Sequence, residues 1–397
     1  MTGLSQQRVN ELIVIYRDEL LKSVLPFWTR HGVDHQCGGF LTCLDRDGTL
    51  IDTDKGCWQQ GRAAWLFGEL YNRVEQRAEW LQLAQQGIDF LDQHAFDPAD
   101  GRMWFQLTRE GQPIRKRRYA FTESFAAIAY GELAQATGRP DLAEKARRTF
   151  LRFVEHHGQT GQQEPKYTSW RATRGIGVPM ITINAAQELR DSIGLEDADR
   201  WIDESIETIR RYHVKADIQC VMETVDLEGK IIDHFDGRTL NPGHAIELAW
   251  FVMWEGNRRQ DSELIGLGTS ILDWMWHRGW DPRHGGMLYF VDVKGLPPQE
   301  YWHDMKFWWP HNETIMATLL AYLLTGDPRY AQWHTDVHRW AYQHFPDREY
   351  GEWFGYLHRD GTLSVPLKGN LWKGPFHLPR MLLNCWRWLS AESVAGP

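Results

Sequence analysis

The 397-residue chain has no uninterrupted apolar stretch of about 18 residues, the length a helix needs to cross a bilayer, so no transmembrane helix is expected. Its start, MTGLSQQRVNELIVIYRDELL, lacks the basic opening, continuous apolar core and small-residue cleavage site of a secretory signal. Five cysteines (Cys37, Cys43, Cys57, Cys220, Cys385) are scattered, odd in number and free of CxxC spacing. Free thiols in a reducing compartment are the expectation, and the cytoplasm fits. There is no basic tail and no Lys/Arg-rich stripe, and the formal net charge is −9. Nucleic acid and anionic membrane surfaces are therefore poor partners, while a neutral substrate or a small anion held by a local Arg/Lys cluster stays compatible. Also missing are GxxxxGK[ST], a strand–GxGxxG–helix, GxSxG and HExxH. The pairs His31/His35 and His334/His338 have i,i+4 spacing but no third ligand nearby, and both read as surface features.

What the chain has in excess is tryptophan, with 21 copies against 13 tyrosines. An indole offers a broad apolar face and one donor, which suits the C–H faces and hydroxyls of a sugar ring. Most of these rings are expected to fill helix packing, so the count alone assigns nothing.

The turn-rich segments repeat. Asp34 opens DHQCGGFLTCLDRDG, Asp97 opens DPADGRMWFQLTREG, and Asp217 opens DIQCVMETVDLEG; Asp281 opens DPRHGGMLYFVDVKG and Asp347 opens DREYGEWFGYLHRDG. Each has an Asp, a small-residue turn, an alternating apolar run and a closing Gly, the pattern of a short β-hairpin. The starts lie 63, 120, 64 and 66 residues apart, and GQTGQQEPKYTSW (158–170) fills the long interval, giving six units.

Between the loops, apolar residues recur at helical spacing near 6–30, 59–74, 78–95, 121–137, 140–156 and 178–192, then 197–213, 242–257, 261–278, 311–325, 328–344 and 376–390. Asn241 before Pro242 predicts an N-cap with proline at the first helical position. Thr137-Gly138 and Thr325-Gly326 predict helix ends. Twelve helices in six pairs, at a period too long for a two-helix solenoid, predict an all-α (α/α)6 barrel, a toroid with short β-hairpin loops at one mouth. One domain, 1–397, is expected, with small and apolar residues on the inner helices and charge on the outer ones.

Such a toroid places its site where inner-helix N-termini and hairpins converge. Four segments carry chemistry there. NPGHAIELAWF puts His244 in a first turn with Glu247 three residues on, a carboxylate placed to orient the imidazole. KFWWPHNETIMATLLAY sets Trp308 and Trp309 before a proline stop, after which His311 and Glu313 open an apolar helix. GNLWKGPFHLPRMLLNCW holds His377 between Phe376 and Leu378, with Lys373 before it and Arg380 after it. DTDKGCWQQGRAAWLFGEL carries Trp58 and opens a helix with Arg62, which is costly to bury without an oxygen partner. Each segment alone has a bland reading: a capped surface histidine, ordinary acidic residues in a first turn, or a satisfied core histidine. Together they supply imidazoles, carboxylates, a guanidinium and stacking rings, an inventory for proton transfer on a polyol.

VLPFWTRH, GGFLTCLDRDG, WQQGR, LTREGQP, NPGHAIE, KFWWPHNE, EYGEWFGYLHRDG and WKGPFHLPR together resemble the N-acylglucosamine 2-epimerase (renin-binding protein) family over nearly the whole chain. The resemblance implies an (α/α)6 barrel, commonly dimeric, that interconverts N-acetylglucosamine and N-acetylmannosamine without a metal or required cofactor. It implies catalytic positions at Arg62, His244, Glu247, Glu313 and His377, with Glu247 and Glu313 orienting the two histidines. Arg62, Trp58, Trp308, Trp309 and Lys373 are the expected substrate contacts. ATP as an allosteric activator is implied for the loop matching GQTGQQEPKYTSW, where Gly161 and Lys166 stand without a full phosphate-loop pattern. Epimerases and isomerases of unmodified sugars, the alternative reading, carry a third histidine in the helix matching VPMITINAAQEL; this chain has none at 178–189. A glycoside hydrolase would need two opposed carboxylates, which a histidine-dominated site does not offer.

Overall fold

The computed structural model describes residues 3–158 and 167–390. In chain order the helices are α1 (Gln6–Glu19), α2 (Leu25–His31), α3 (Cys57–Arg73), α4 (Ala78–Phe90), α5 (Phe121–Thr137), α6 (Pro140–Gly158) and α7 (Gly177–Ile193). They continue as α8 (Ala198–Thr208), the single turn α9 (Phe235–Arg238), α10 (Pro242–Arg259), α11 (Ser262–Gly279), α12 (Trp308–Thr325), α13 (Pro328–His344) and α14 (His377–Leu389). A π-helical turn, Leu20–Val24, joins α1 to α2 into one rod.

Apolar pattern sorts these helices into two rings. In α3 every residue from Gln59 to Leu70 is buried, as expected of a helix covered on all sides. In α6 burial is confined to a stripe that includes Leu142, Ala146, Phe150 and Phe153, leaving a charged face to water. The inner helices α3, α5, α7, α10, α12 and α14 each pack against an outer partner: α4, α6, α8, α11, α13 and, for α14, the rod that begins the chain. The architecture is an (α/α)6 barrel. Its inner ring closes between α14 and α3, where Phe376 meets Trp65 edge-on at 5.2 Å and Arg387 approaches Glu69 at 3.8 Å.

The local stop and start signals act as their chemistry requires. Asn241 caps α10 by accepting from the backbone N–H of His244, and Gly138 and Gly326 end α5 and α12 in the left-handed conformation. One boundary differs from expectation. Helix α12 starts at Trp308, so Pro310 is inside the first turn and is not a stop. Proline is tolerated there because its missing N–H would have had no intrahelical acceptor.

The repeated aspartates are anchors for the hairpins. Asp34 accepts from the backbone N–H of Gln36 and Cys37, pairs with buried Lys55 at 2.9 Å, and receives Arg109 from the following hairpin. Asp281 repeats this with Lys306 and Arg359, and Asp347 with Lys368 and Arg46. Arg46 belongs to the first hairpin and Asp347 to the last, so the latch also closes the loop ring. Asp217 departs from the pattern: it is exposed in a short 3-10 turn, Ala216–Ile218.

The short strands aim the inner helices. Lys55–Gly56, immediately before α3, pairs antiparallel with Gln106–Leu107 of the next hairpin. Thr239–Leu240 before α10 pairs with Val291–Asp292, and Lys306–Phe307 before α12 pairs with Tyr356–Leu357. Each hairpin thus holds the entry to an inner helix and fixes which of its first-turn side chains face the barrel axis. The turn-rich stretch expected as a further unit falls largely on residues 159–166, outside the described residues, and with it Gly161 and Lys166. No helix among the described residues is long and apolar enough to cross a membrane.

Candidate active site

At the hairpin mouth lies a cavity of about 590 Å³ lined by residues from the first two turns of all six inner helices and from the segments entering them. Of the residues expected from sequence, Arg62, His244, Glu247, His377, Trp58, Trp308 and Trp309 line it. Glu313 lies immediately behind it, fully buried.

His377 is the first residue of α14, and its Nδ1 lies 2.7 Å from Glu313 Oε1. With a carboxylate as acceptor, Nδ1 carries the proton, and Nε2 is left with its lone pair toward the cavity. Burial holds this imidazole well below its ordinary pKa, and the nearby cations Arg62 and Arg380 act in the same direction. His377 is thereby a neutral base at rest. Burial also raises the Glu313 carboxyl, a push restrained by Arg380 at 2.7 Å and by the indole N–H of Trp250 at 2.7 Å.

His244 faces the same space from α10. Its Nδ1 is 3.0 and 3.2 Å from the two carboxylate oxygens of Glu223. Burial works against a charge on this ring, but Glu223 more than offsets it, and Glu247 and Glu313 add to the effect, so its pKa is raised. The two imidazoles are therefore biased to opposite protonation states. Trp309 packs against both, with ring centroids 5.0 Å from His244 and 5.7 Å from His377.

Glu247 does not orient His244, contrary to its i,i+3 placement. It accepts from Arg380 Nη2 at 2.5 Å, and that same nitrogen donates to Glu313. The reach of α14 across the barrel axis decides this: Arg380 lies one turn beyond His377, and its long side chain takes both carboxylates. Lys373 is the second correction. It is fully buried, pairs with Glu352 at 2.7 Å and donates to the Lys368 carbonyl at 2.7 Å, away from the cavity lining. A further correction concerns His334 and His338, which are not at the surface. They are 1% and 5% exposed and bind the Tyr16 hydroxyl at 3.1 and 3.0 Å.

Two residues of the site were assigned no role from sequence. Arg380 had a signal, since i+3 spacing puts it on the face of His377. Glu223 had none: it sits between two short strands, 21 positions before the histidine it holds.

Arg62 is clamped by three rings, its guanidinium 4.3 Å from Trp58, 4.1 Å from Phe125 and 4.5 Å from Phe376. No carboxylate among the described residues is bonded to it, and burial pushes it down to about 9, still charged at neutral pH. Glu247, Glu313 and His377 bring ligand atoms within 4.8 Å of one another, a set able to hold a metal ion. Arg380 Nη2 bonds both of its carboxylates, one oxygen of each.

The sequence profile of the N-acylglucosamine 2-epimerase (GlcNAc 2-epimerase) family matches residues 39–377. The chain belongs to this family. It is 36% identical over 394 residues to the N-acylglucosamine 2-epimerase of Bos taurus, covering 96% of this chain and 92% of that one. The solved cellobiose 2-epimerase from Spirochaeta thermophila superposes with a TM-score of 0.82 at 20% identity, covering 97% and 98% of the two chains. A D-mannose isomerase structure gives 0.79 at 19% identity, covering 97% and 98%. These likenesses at low identity carry the fold.

Proposed function

We propose that this family member interconverts N-acetylglucosamine and N-acetylmannosamine by moving the C2 proton of the ring-opened sugar. The observation that carries the reading is the pair of imidazoles flanking Trp309, each with Nδ1 held by its own carboxylate. Anchoring Nδ1 leaves both Nε2 atoms for substrate.

In the mechanism, neutral His377 takes the proton from C2 while the electron pair delocalises onto the C1 oxygen as an enolate. Arg62, charged and bonded to no carboxylate among the described residues, is placed to hold that oxygen. Protonated His244 then delivers its proton to the opposite face of C2, inverting the centre. The enzyme emerges with its proton on the other imidazole, ready for the reverse step. Arg380 binds Glu247 and Glu313, fixing the carboxylate that orients His377 and supplying positive charge without a metal. We propose that the working form needs no cofactor. The tryptophan walls stack on the carbon chain. We further propose a cytoplasmic homodimer. ATP activation through the 158–170 loop is a separate proposal, read by turnover with and without the nucleotide.

Proton NMR in heavy water tests the reaction. Either N-acyl sugar should gain deuterium at C2 and yield the same mixture. Unchanged spectra with both would overturn the proposal, and ketose formation from mannose with no action on N-acyl sugars would replace it by isomerisation of an unmodified sugar.

A further inference from the structure

The cavity has two unlike walls. Imidazoles, a carboxylate and guanidinia come from α10, α14 and the N-terminal part of α3. Opposite them, α7 contributes Gly177, Met180, Ile181 and Asn184, spaced i, i+3, i+4 and i+7 and so on one face of the helix. Phe121 and Phe125 of α5 extend this face. Among these side chains only Asn184 is polar.

Asn184 is unlike the other polar groups of α7. Thr182 donates to the Val178 carbonyl, and Gln187 donates to the Phe251 carbonyl and to Glu255, each at about 3 Å or less. Those groups are consumed by the fold. Asn184 is only 7% exposed, lines the cavity and has no hydrogen-bond partner among the described residues. An amide left unpaired in an apolar wall is costly unless a ligand completes it.

The position of the wall names the ligand group. C2 of the substrate must lie between His377 and His244, and α7 packs beside α10, the helix that carries His244. Trp309 fills the side toward α12. A C2 substituent therefore has room toward α7. An acylamino group offers an N–H donor, a carbonyl acceptor and an apolar tail. A carboxamide side chain complements the first two, and Met180 and Ile181 suit the third. A bare C2 hydroxyl would meet mostly hydrocarbon there.

We infer that Asn184 pairs with the amide of the 2-acylamino group while Met180 and Ile181 enclose its acyl tail, so that this face of α7 selects acylated amino sugars. This rests on the proposed epimerase reading and adds the residues that decide the C2 substituent.

The test compares wild type, Asn184→Leu and Met180→Ala on N-acetyl-, N-propionyl- and N-butanoylmannosamine, reading KM and kcat separately. Asn184→Leu should raise KM for the N-acetyl sugar roughly 10-fold or more, with kcat falling less. Met180→Ala should shift the kcat/KM ratio of butanoyl to acetyl substrate upward by about 10-fold, because the vacated methylenes make room for the longer tail. An unchanged KM in Asn184→Leu, a loss confined to kcat, or an unaltered chain-length preference in Met180→Ala overturns the inference while leaving the epimerase reading intact. Wild type silent on all three sugars overturns that reading, and the inference with it.

Discussion

Nδ1 of His377 lies 2.7 Å from Oε1 of Glu313, an oxygen that Arg380 also holds at 2.7 Å. One carboxylate oxygen thus sets the tautomer of the base and is itself fixed by a cation. Glu313→Gln keeps the shape but offers a donor or a weaker acceptor to His377, and loosens Arg380. The expected result is a fall in kcat of about 100-fold or more with a modest change in KM. C2 deuterium exchange measures it, with circular dichroism to confirm the fold. A kcat within a few-fold of wild type would mean His377 does not depend on this carboxylate.

His244 supports a prediction of different form, a shift along the pH axis. The active state is the singly protonated pair, with the proton resting on His244 and His377 neutral. Because Glu223 raises the pKa of His244, that proton is kept to higher pH, and activity is lost as pH rises through the raised value. Glu223→Gln removes the charge, so the basic limb of kcat/KM should move to lower pH, by about one unit. The acid limb, set by His377, should stay. Rate profiles in both reaction directions read this, and an unmoved basic limb would remove Glu223 from the mechanism.

The parts of this molecule that were legible in sequence are those written in short-range chemistry. Asn241-Pro242 and the glycines after Thr137 and Thr325 act within a few residues, and each performs the cap it predicts. The barrel was legible because the helix pairs recur along the chain with turn-rich segments between them. Contacts made by closing the ring were not legible. Glu223 reaches His244 from a turn, and Arg380 takes Glu247 from 133 positions away. His334 was misplaced although its signal was present: Tyr330, His334, Val337 and Ala341 form an i, i+4, i+7, i+11 stripe, all of it buried. Metal-ligand spacing drew attention to the pair, and the surrounding apolar stripe decided its place.

Lys373 belongs to a motif full of active-site residues, yet its ammonium is spent on Glu352, whose other oxygen accepts from the Trp28 indole at 2.8 Å. Removing one partner of a buried pair leaves the other charge without compensation, at about 3–5 kcal/mol. Lys373→Met should therefore lower the denaturation midpoint by several degrees while KM for the sugar changes less than about threefold. Thermal unfolding alongside steady-state kinetics separates the two. A large rise in KM at unchanged stability would return Lys373 to the binding site.

The buried pair on α13 predicts how the fold responds to acid. His334 Nδ1 lies 3.2 Å from the Ile315 carbonyl, so Nδ1 donates and Nε2 accepts from the Tyr16 hydroxyl. The Tyr16 oxygen is then free to accept from His338 Nδ1, and these three hydrogen bonds form with both rings neutral. Protonating either ring adds a donor that this network has no acceptor for. Burial pushes His334 down to about 4, and His338 well below its ordinary value. In the unfolded chain both titrate near 6.5. Between about pH 6.5 and 4 the unfolded state binds protons that the folded state refuses, so stability falls as pH falls, by about 1.4 kcal/mol per pH unit per histidine. His338→Gln should lower stability at pH 7 but make its decline between pH 6 and 4.5 shallower by about one proton. Urea midpoints across that range measure the slope, and a slope equal to that of wild type would show that this histidine is not one of the groups that acid opens.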